Sequence, residues 1–268
     1  KWSNGQLLND EKLVINGTEI KNYDRRHRGN VTMRTALKDS INVPAVKTLL
    51  EVGEENAREF AANLGIELDE IFPSYAIGGF ETGVSPLELA GAFSAFGNEG
   101  IFNKPHTVRK IVFPDGREMD NTPEPIAAMS DYTAYMITDM LKSVVQSGTG
   151  RSVHIPSLPI AGKTGTTNET KDGWFAGYTT NYTAAVWTGY HDPAPIEGGT
   201  RWARDIFKDL IAHVSKDVET TDFKKPDSVV EVALEKGTEK KPSPFTPKDQ
   251  IIYELFVRGT EPTDTSDV

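Results

Sequence analysis

The chain contains no cysteine, few histidines and no long apolar run. The absence of cysteine excludes disulfide bonds, thiolate catalysis and cysteine-based zinc sites. It leaves the compartment open, because a cysteine-free chain suits either side of a membrane. The histidines are scattered without the H-E-x-x-H spacing, so we predict neither a metal site nor a cofactor. No apolar run approaches the roughly 20 residues that span a bilayer, and no signal peptide begins the chain.

Positive charge is also in short supply. The formal net charge is -10 and the pI is about 5.1. An acidic surface repels phosphate groups, so we predict no nucleic-acid partner and no binding to an anionic membrane surface. The 268 residues are enough for one large domain, or for one domain with a tail. Because the first residue is Lys1 rather than methionine, we expect a fragment or a processed piece of a longer protein.

The most informative stretch is Pro159–Thr167, which begins apolar and then becomes small and hydroxylated around a single lysine. Two aromatic and β-branched runs follow, at 172–178 and 182–190, and this pattern predicts three consecutive antiparallel strands. Gly162 and Gly165 weaken the first strand unless something approaches its backbone closely. A peptide lying along the strand would explain them. Lys163 and the threonine hydroxyls then suit a peptide that ends in a carboxylate.

Two other interpretations of this stretch are open. Any strand rich in glycine and threonine can be structural only. Gly162-Lys163-Thr164 also matches the end of the nucleotide-binding pattern G-x-x-x-x-G-K-[ST]. That pattern requires glycine where Ser157 stands, and a helix where Gly165–Asn168 follows. The nucleotide loop is therefore disfavoured.

Helical spacing and capping residues predict most of the remaining structure. The predicted helices cover about 31–39, a stretch beginning at 42, 55–64, a stretch beginning at 85, 130–146 and 200–214. Asn30 is predicted to cap the first helix and Asn42 the second. In the last helix, Trp202, Ile206, Phe207 and Leu210 are expected to face inward. A hairpin is predicted around Pro114-Asp115-Gly116. Lysine, proline and acidic residues dominate after Ser215, with one possible strand at 229–234 and a short ordered patch at 251–257.

Ser40 and Asn42 lie in the joint between the first two predicted helices. If the joint is extended, alternation places both side chains on one side. Serine and asparagine at helix junctions are more often simple caps, so the S-x-N pattern alone carries little information.

Taken together, these motifs resemble a known family. Serine β-lactamases and penicillin-binding proteins share S-x-x-K, S-D-N and K-T-G. Ser40-Ile41-Asn42 stands in the second position of that set, and Lys163-Thr164-Gly165-Thr166 in the third. The resemblance to the transpeptidase domain of bifunctional class A penicillin-binding proteins extends over nearly the whole chain. It is carried by Gly29–Leu37 with Ser40–Val46, Gly78-Gly79 with Gly83–Glu88, Gly148–Gly150, Asp172–Tyr178 and Leu255–Pro262.

One family motif is missing, because no S-x-x-K occurs in these 268 residues. Threonine takes the serine's place at the same spacing at Thr18, Thr35, Thr107 and Thr221, all of them outside the family's motif order. In the family the nucleophilic serine precedes the second motif by a few dozen residues. The resemblance therefore implies the C-terminal part of a transpeptidase domain, with the nucleophile, a glycosyltransferase domain and a membrane anchor upstream. We predict transpeptidase residues over 1–215 and a tail or small appended segment over 216–268.

The resemblance implies a mixed α/β (α+β) fold of the serine β-lactamase/DD-transpeptidase type, with an antiparallel sheet and a helical subdomain, incomplete at its N-terminal side. The implied activity is cross-linking of peptidoglycan stem peptides ending in D-Ala-D-Ala, with β-lactams as acylating mimics. The implied catalytic residues are Ser40, Asn42, Lys163 and Thr166, and the implied substrate-binding residues are Thr164, Gly165, Thr166 and Thr167. Trp174 and Phe175 are expected to pack under the sheet.

The implied location is the extracytoplasmic face of a bacterial membrane, in a Gram-positive organism. The implied partners are stem peptides, β-lactams and the missing N-terminal part of the same protein. Two alternatives stay open. A β-lactamase of the same fold would need a general base, and the E-x-x-L-N pattern that would supply it is absent. A non-catalytic module that binds peptidoglycan or a partner would lack the serine altogether.

Overall fold

The computed structural model describes residues 2–80 and 82–267. Each of the six stretches predicted as helical is confirmed, with bounds that differ by a few residues. The helices are α1 (Met33–Lys38), α2 (Asn42–Val52), α3 (Glu54–Asn63), α4 (Pro86–Gly97), α5 (Asp131–Ser147) and α6 (Arg201–Val214). Short 3-10 turns lie at Pro73–Ile77, Arg151–Val153, Asn168–Thr170 and Lys248–Gln250.

The named strands pair antiparallel throughout. In the part of the chain that the structure describes, the strands form five two-stranded pairs and one three-stranded sheet. The pairs are β1 (Leu7–Asp10) with β4 (Gly29–Thr32), β2 (Leu13–Ile15) with β3 (Thr18–Ile20), β5 (Ile101–Phe102) with β8 (Ile126–Ala127), β6 (Lys110–Val112) with β7 (Glu118–Asp120), and β12 (Val229–Glu235) with β13 (Ile251–Val257). The central sheet has the order β11 (Thr183–Gly189), β10 (Asp172–Tyr178), β9 (Ala161–Thr166).

The central sheet confirms the three predicted strands, and helices cover both of its faces. On one face, Phe175 of β10 packs against Phe207 of α6 with ring centroids 4.6 Å apart, and both side chains are fully buried. On the other face, the buried Tyr178 bonds the Thr138 hydroxyl of α5 at 2.8 Å. The sheet is therefore the middle layer of a helix–sheet–helix arrangement, with β9 and β11 as its two edge strands.

The packing of α6 differs from its prediction in register. Phe207 is buried as expected, together with Ala203 and Ile211. These three residues are four positions apart and follow one stripe of the helix. The other side chains that were expected to face inward are between 39% and 48% exposed: Trp202, Ile206 and Leu210. The small Ala203, which hydrophobicity alone does not single out, lets the helix lie close to the sheet.

Helix α1 begins later than predicted. Asn30 does not cap it, because Asn30 lies in β4 and pairs with Asn9 of β1. The capping side chain is Thr32, whose Oγ1 accepts the Thr35 N–H at 3.1 Å. The pairing with β1, which lies some twenty residues upstream, holds 29–32 extended and moves the helix start.

The C-terminal residues form an ordered hairpin rather than a structureless tail. The strand predicted at 229–234 is confirmed as β12, and the ordered patch at 251–257 is β13. Val229 and Leu255 pack on Met136 of α5. Glu254 of β13 accepts two bonds from the Arg34 Nε of α1, at 3.0 and 2.9 Å. This segment therefore packs directly against the two helices that approach the candidate site. The boundary at 215 stays a prediction.

Candidate active site

Ser40 occupies a tight turn between α1 and α2. Its φ is 55°, in the left-handed region that non-glycine residues seldom adopt. The Ile41 N–H returns to the Ala36 carbonyl at 2.9 Å and closes the end of α1. The joint is therefore not extended at Ser40, and the alternation that an extended joint would impose on Ser40 and Asn42 does not apply. The turn itself aims Ser40 at the sheet.

Asn42 does not cap α2 with its side chain; it is the first residue of that helix. Its Nδ2 donates instead to the Lys21 carbonyl at 2.8 Å. The cap comes from Asn22, whose Oδ1 accepts the N–H groups of Asn42 and Val43 at 3.0 and 3.1 Å. A cap supplied from twenty residues upstream replaces the local one.

Asn22 is a structural residue that the sequence analysis missed. It is buried, and its Nδ2 donates to Asp10 Oδ1 and to the Arg26 carbonyl, both at 2.7 Å. All four hydrogen-bonding positions of the amide are thus used. Asp10 is fully buried, and its other oxygen accepts the Arg28 N–H at 3.0 Å. Residues 9–28 therefore form a polar frame that fixes the start of α2. In the sequence, this polar frame is indicated only weakly, by the run Asn22-Tyr23-Asp24.

Lys163 of β9 contacts the turn between α1 and α2. Its Nζ donates to Ser40 Oγ at 2.8 Å and to the Thr164 carbonyl at 3.1 Å. Burial lowers the pKa of the Lys163 ammonium group from 10.5 to about 8. The structure thus brings together the lysine of the third motif and the serine of the second, two residues far apart in sequence. A lysine with a pKa near 8 can both carry charge and exchange a proton near neutral pH.

Side chains along β9 alternate between the two faces of the central sheet, so Thr164 lies on the face opposite to Lys163. Lys163 pairs with Ala176, whereas Thr164 pairs with Phe175 on the α6 face. The Thr164 and Thr149 hydroxyl oxygens are 2.8 Å apart. Thr166 is exposed, and its hydroxyl donates to Thr200 Oγ1 over a long 3.4 Å.

Thr167 has a different environment, because its Oγ1 accepts the Asp172 N–H at 2.8 Å. This bond closes the turn that leads from β9 to β10. The Thr167 hydroxyl oxygen is therefore already engaged within the protein.

Close packing against aromatic residues explains the two glycines of β9, Gly162 and Gly165, and the sequence alone did not indicate this packing. A Cβ on Gly162 would lie 2.6 Å from the Phe175 ring, and one on Gly165 would lie 2.9 Å from Trp174 Cβ. Phe175 lies under the sheet, as expected. Trp174 lies on the Lys163 face and is only partly buried, with Trp187 at a centroid distance of 6.5 Å. The glycines thus accommodate aromatic neighbours, in addition to any ligand.

A cavity of about 640 Å³ opens in front of Lys163 and Ser40. Asn42, Thr164, Gly165 and Thr166 also line it. Most of its remaining wall is apolar and comes from β1 and the helical layer, including Leu8, Met33, Leu49, Phe60, Ile77 and Met140. Among the residues that the structure describes, no cluster of three or more histidine, aspartate or glutamate side chains could hold a metal ion. The same residues include no helix long and apolar enough to cross a membrane.

Comparison with known proteins shows the class of protein to which the chain belongs. Residues 1–212 match the penicillin binding protein transpeptidase domain, and residues 225–268 match the C-terminal domain of penicillin-binding protein 1A. The chain therefore belongs to the penicillin-binding protein transpeptidase family. The family resemblance inferred from the motifs is confirmed.

Curated proteins that are similar to this chain include penicillin-binding proteins of the 1A type. The chain is 45% identical to penicillin-binding protein 1A/1B of Bacillus subtilis, over 99% of the chain and 32% of the relative. It is 39% identical to penicillin-binding protein 1A of Streptococcus oralis, over 80% of the chain and 38% of the relative. The chain thus spans about a third of the length of these curated relatives.

Solved structures confirm the fold. Penicillin-binding protein 1A from Haemophilus influenzae superposes with a TM-score of 0.83 at 23% identity, covering 98% of this chain and 46% of that one. PonA1 from Mycobacterium tuberculosis, solved in complex with penicillin V, gives a TM-score of 0.72 at 22% identity, covering 84% and 67%. The mixed α/β fold of the serine β-lactamase/DD-transpeptidase type is confirmed.

Proposed function

We propose that this chain is the part of a peptidoglycan DD-transpeptidase that carries the second and third motifs of the active site. The observation that supports this best is the 2.8 Å bond from Lys163 Nζ to Ser40 Oγ at the mouth of the cavity. A desolvated lysine beside a strained serine is costly for a fold. Such an arrangement is typical of groups that transfer protons in acyl-transfer sites.

The nucleophile has to come from outside these 268 residues, because no S-x-x-K is present. The cavity is a suitable place for it, since its apolar wall faces Ser40 and Lys163. Apolar side chains that line it remain exposed, including Val52, Phe60 and Ile77 at 39–42%. A segment of the same protein that brings a serine would cover them. Alone, the chain should be inactive, since loss of a catalytic serine costs about a millionfold in a well-studied hydrolase.

The reaction is acyl transfer in two steps. The serine oxygen attacks the penultimate D-alanine carbonyl, the peptide bond to the terminal D-alanine breaks, and that amine leaves with a proton. An amine of a neighbouring stem peptide then attacks the ester, forms the cross-link and returns a proton to the serine. β-Lactams would follow the first step, with the amide bond of their ring opening, and would stay attached.

Ser40 and Lys163 are suited to the proton transfer in the first step. Because the Lys163 ammonium group donates to Ser40 Oγ, the hydrogen of the Ser40 hydroxyl stays free to reach the leaving nitrogen. Lys163 can then replace that proton, since burial has lowered its pKa to about 8. Its positive charge also makes the cavity favourable for an anionic substrate.

The remaining residues are assigned to substrate binding. The Asn42 amide, oriented by the Lys21 carbonyl, would bind the peptide backbone. The Thr164 and Thr166 hydroxyls would bind the terminal carboxylate, and the Thr166 N–H would stabilise the oxyanion, a contribution of about 100- to 1,000-fold in rate. Gly165, which has no side chain, would leave β9 open to the peptide. Thr167 would lie beside the peptide, with its N–H and its hydroxyl oxygen both bonded to the Asp172 main chain.

The whole protein would act outside the cytoplasmic membrane, with its anchor and a glycosyltransferase domain upstream of this chain. Relatives of about three times the length are consistent with such an arrangement. A Gram-positive source stays a prediction, because a relative from Aquifex aeolicus is 34% identical.

The test is intact mass spectrometry before and after incubation with penicillin, on this chain alone and with its upstream segment restored. We expect a gain of one drug molecule in the restored protein only. No gain in either form would favour a binding module. Continued release of hydrolysed drug would indicate a β-lactamase. A gain on the isolated chain would show that another serine or threonine near Lys163 is the nucleophile.

Replacement of Lys163 tests the assignment of the site. In the restored protein, Lys163→Ala should abolish acylation while the fold is retained. Lys171→Ala is the matched control, because Lys171 is a partly exposed lysine just beyond β9 that pairs with Glu169. A Lys163→Ala protein that acylates like the Lys171→Ala protein would refute the assignment.

A further inference from the structure

Thr149 lies in the loop between α5 and β9, and each of its polar groups bonds a different element. Its N–H donates to the Lys38 carbonyl at the end of α1, at 3.2 Å. Its carbonyl accepts Arg204 Nη1 of α6, also at 3.2 Å. Its hydroxyl lies 2.8 Å from the hydroxyl of Thr164 on β9. One residue thus links the helix that leads to Ser40 with the strand that carries Lys163.

The glycines on either side explain how the loop comes so close. A Cβ on Gly148 would lie 2.4 Å from the Lys38 carbonyl oxygen, so only glycine fits there without a backbone shift. Gly150 is buried, and a Cβ there would touch Phe175 and Val144 at 3.3 Å. The Gly-Thr-Gly sequence therefore holds one threonine in a fixed position between two close backbone contacts.

We propose that Thr149 is a positioning residue that sets the direction of the Thr164 hydroxyl. If Thr149 donates its hydroxyl hydrogen to Thr164 Oγ1, the Thr164 hydrogen is free to donate to a ligand carboxylate. Two hydroxyls that donate in sequence polarise each other, which strengthens the last bond. This inference rests on the proposed function, in which Thr164 binds the terminal carboxylate of the peptide.

Arg204 adds a positive charge beside Thr149. Its guanidinium group donates to the Thr149 carbonyl, and among the residues that the structure describes its buried Nε has no hydrogen-bond partner. A positive charge near a binding site favours a negatively charged ligand. The charge that holds Thr149 is thus opposite in sign to the carboxylate that Thr164 is proposed to bind.

The test uses the chain with its upstream segment restored and two ligands, penicillin and its methyl ester, which lacks the carboxylate charge. Thr149→Val removes the hydroxyl at nearly constant shape, and Thr149→Ser keeps it. Thr138→Val is the matched control, because the Thr138 hydroxyl also lies 2.8 Å from another hydroxyl, that of Tyr178, and lines no part of the cavity. Thr149→Ala enters the same comparison should the valine variant fail to fold.

We expect Thr149→Val to lower the second-order rate constant of acylation by penicillin about tenfold, the size expected for one hydrogen bond to a charged group. That loss should lie in the non-covalent dissociation constant rather than in the first-order acylation step, and the second-order rate constant with the ester should stay within about twofold. Thr149→Ser and Thr138→Val should keep the preference of the wild type for the free acid. Equal losses with acid and ester, or the same change in Thr138→Val, would overturn this inference alone. A wild-type protein that is not acylated would overturn the proposed function and this inference with it.

Discussion

The buried ammonium group of Lys163 should leave a measurable mark on the stability of this chain. Burial lowers its pKa from 10.5 to about 8. The unfolded chain therefore binds this proton more tightly than the folded chain, which means that protonated Lys163 destabilises the fold. At about 1.4 kcal/mol for each pH unit, the cost is about 3 kcal/mol near pH 7. Since Lys163 keeps some contact with the open cavity, this figure is an upper value.

The sign and the pH window follow from the two pKa values. Between about pH 8 and pH 10.5 the unfolded state carries more protons than the folded state, so the free energy of unfolding rises with pH through that window. The cost should fall from about 3 kcal/mol near pH 7 to about 1 kcal/mol near pH 9.5. The advantage of a Lys163→Met variant over the wild type should shrink by the same difference, about 2 kcal/mol.

The assay is urea unfolding of this chain, wild type against Lys163→Met, at about pH 7 and pH 9.5. The lost bonds to Ser40 and Thr164 lower the stability of the variant by about 1 kcal/mol each, but equally at both pH values, so the change in the difference isolates the titration. Lys208→Met is the control, because it removes a partly exposed lysine of α6, whose Nζ donates to the Ser152 carbonyl, and reports the general effect of net charge. Parallel stability curves for wild type and Lys163→Met would refute the reasoning.

Two further predictions concern the polar frames on either side of the site. Asn22→Ala removes the cap of α2 and leaves a buried oxygen of Asp10 with only the His27 Nδ1 contact at 3.5 Å, so the free energy of unfolding should fall by about 3 kcal/mol. Asn121→Ala, which deletes one exposed amide bond, should change it by less than about 0.5 kcal/mol. Glu254→Gln leaves Arg34 with Asp139 as its remaining ion-pair partner and should cost about 2–3 kcal/mol. Urea unfolding measures all three, and costs no larger than that of Asn121→Ala would contradict both predictions.

The sequence was sufficient for the elements whose signals are local. The three strands of the central sheet and the helices predicted to begin at 85 and 130 depend on neighbours within a few residues. The structure shows such local bonds in the capping box of Ser85 with Glu88 and in the Ser130 cap. The family motifs also predicted that Ser40 and Lys163 act together. That prediction depends on the resemblance to other proteins, because no local sequence pattern links two residues so far apart.

The wrong predictions for the starts of α1 and α2 share a physical cause. In both cases the deciding contacts come from segments that are distant in the sequence. Asn22 replaced Asn42 as the cap of α2, and pairing with β1 moved the start of α1 away from Asn30. The left-handed turn at Ser40 depends on the same contacts. No periodicity within 30–50 carries this information, since the stabilising groups lie at 9–28.

The polar frame at residues 9–28 helps to hold the turn at Ser40. Residues 9–28 bind the start of α2, and the loop at Gly148–Gly150 binds the end of α1, so the turn at Ser40 is held from both of its ends. A turn with a positive φ at a non-glycine residue costs about 1–3 kcal/mol and persists only where the surroundings over-determine it. Here the surroundings are residues of this chain itself. The contact between Ser40 and Lys163 is therefore held by the fold, and in the proposed transpeptidase these two groups would be preorganised before a nucleophilic serine enters the cavity.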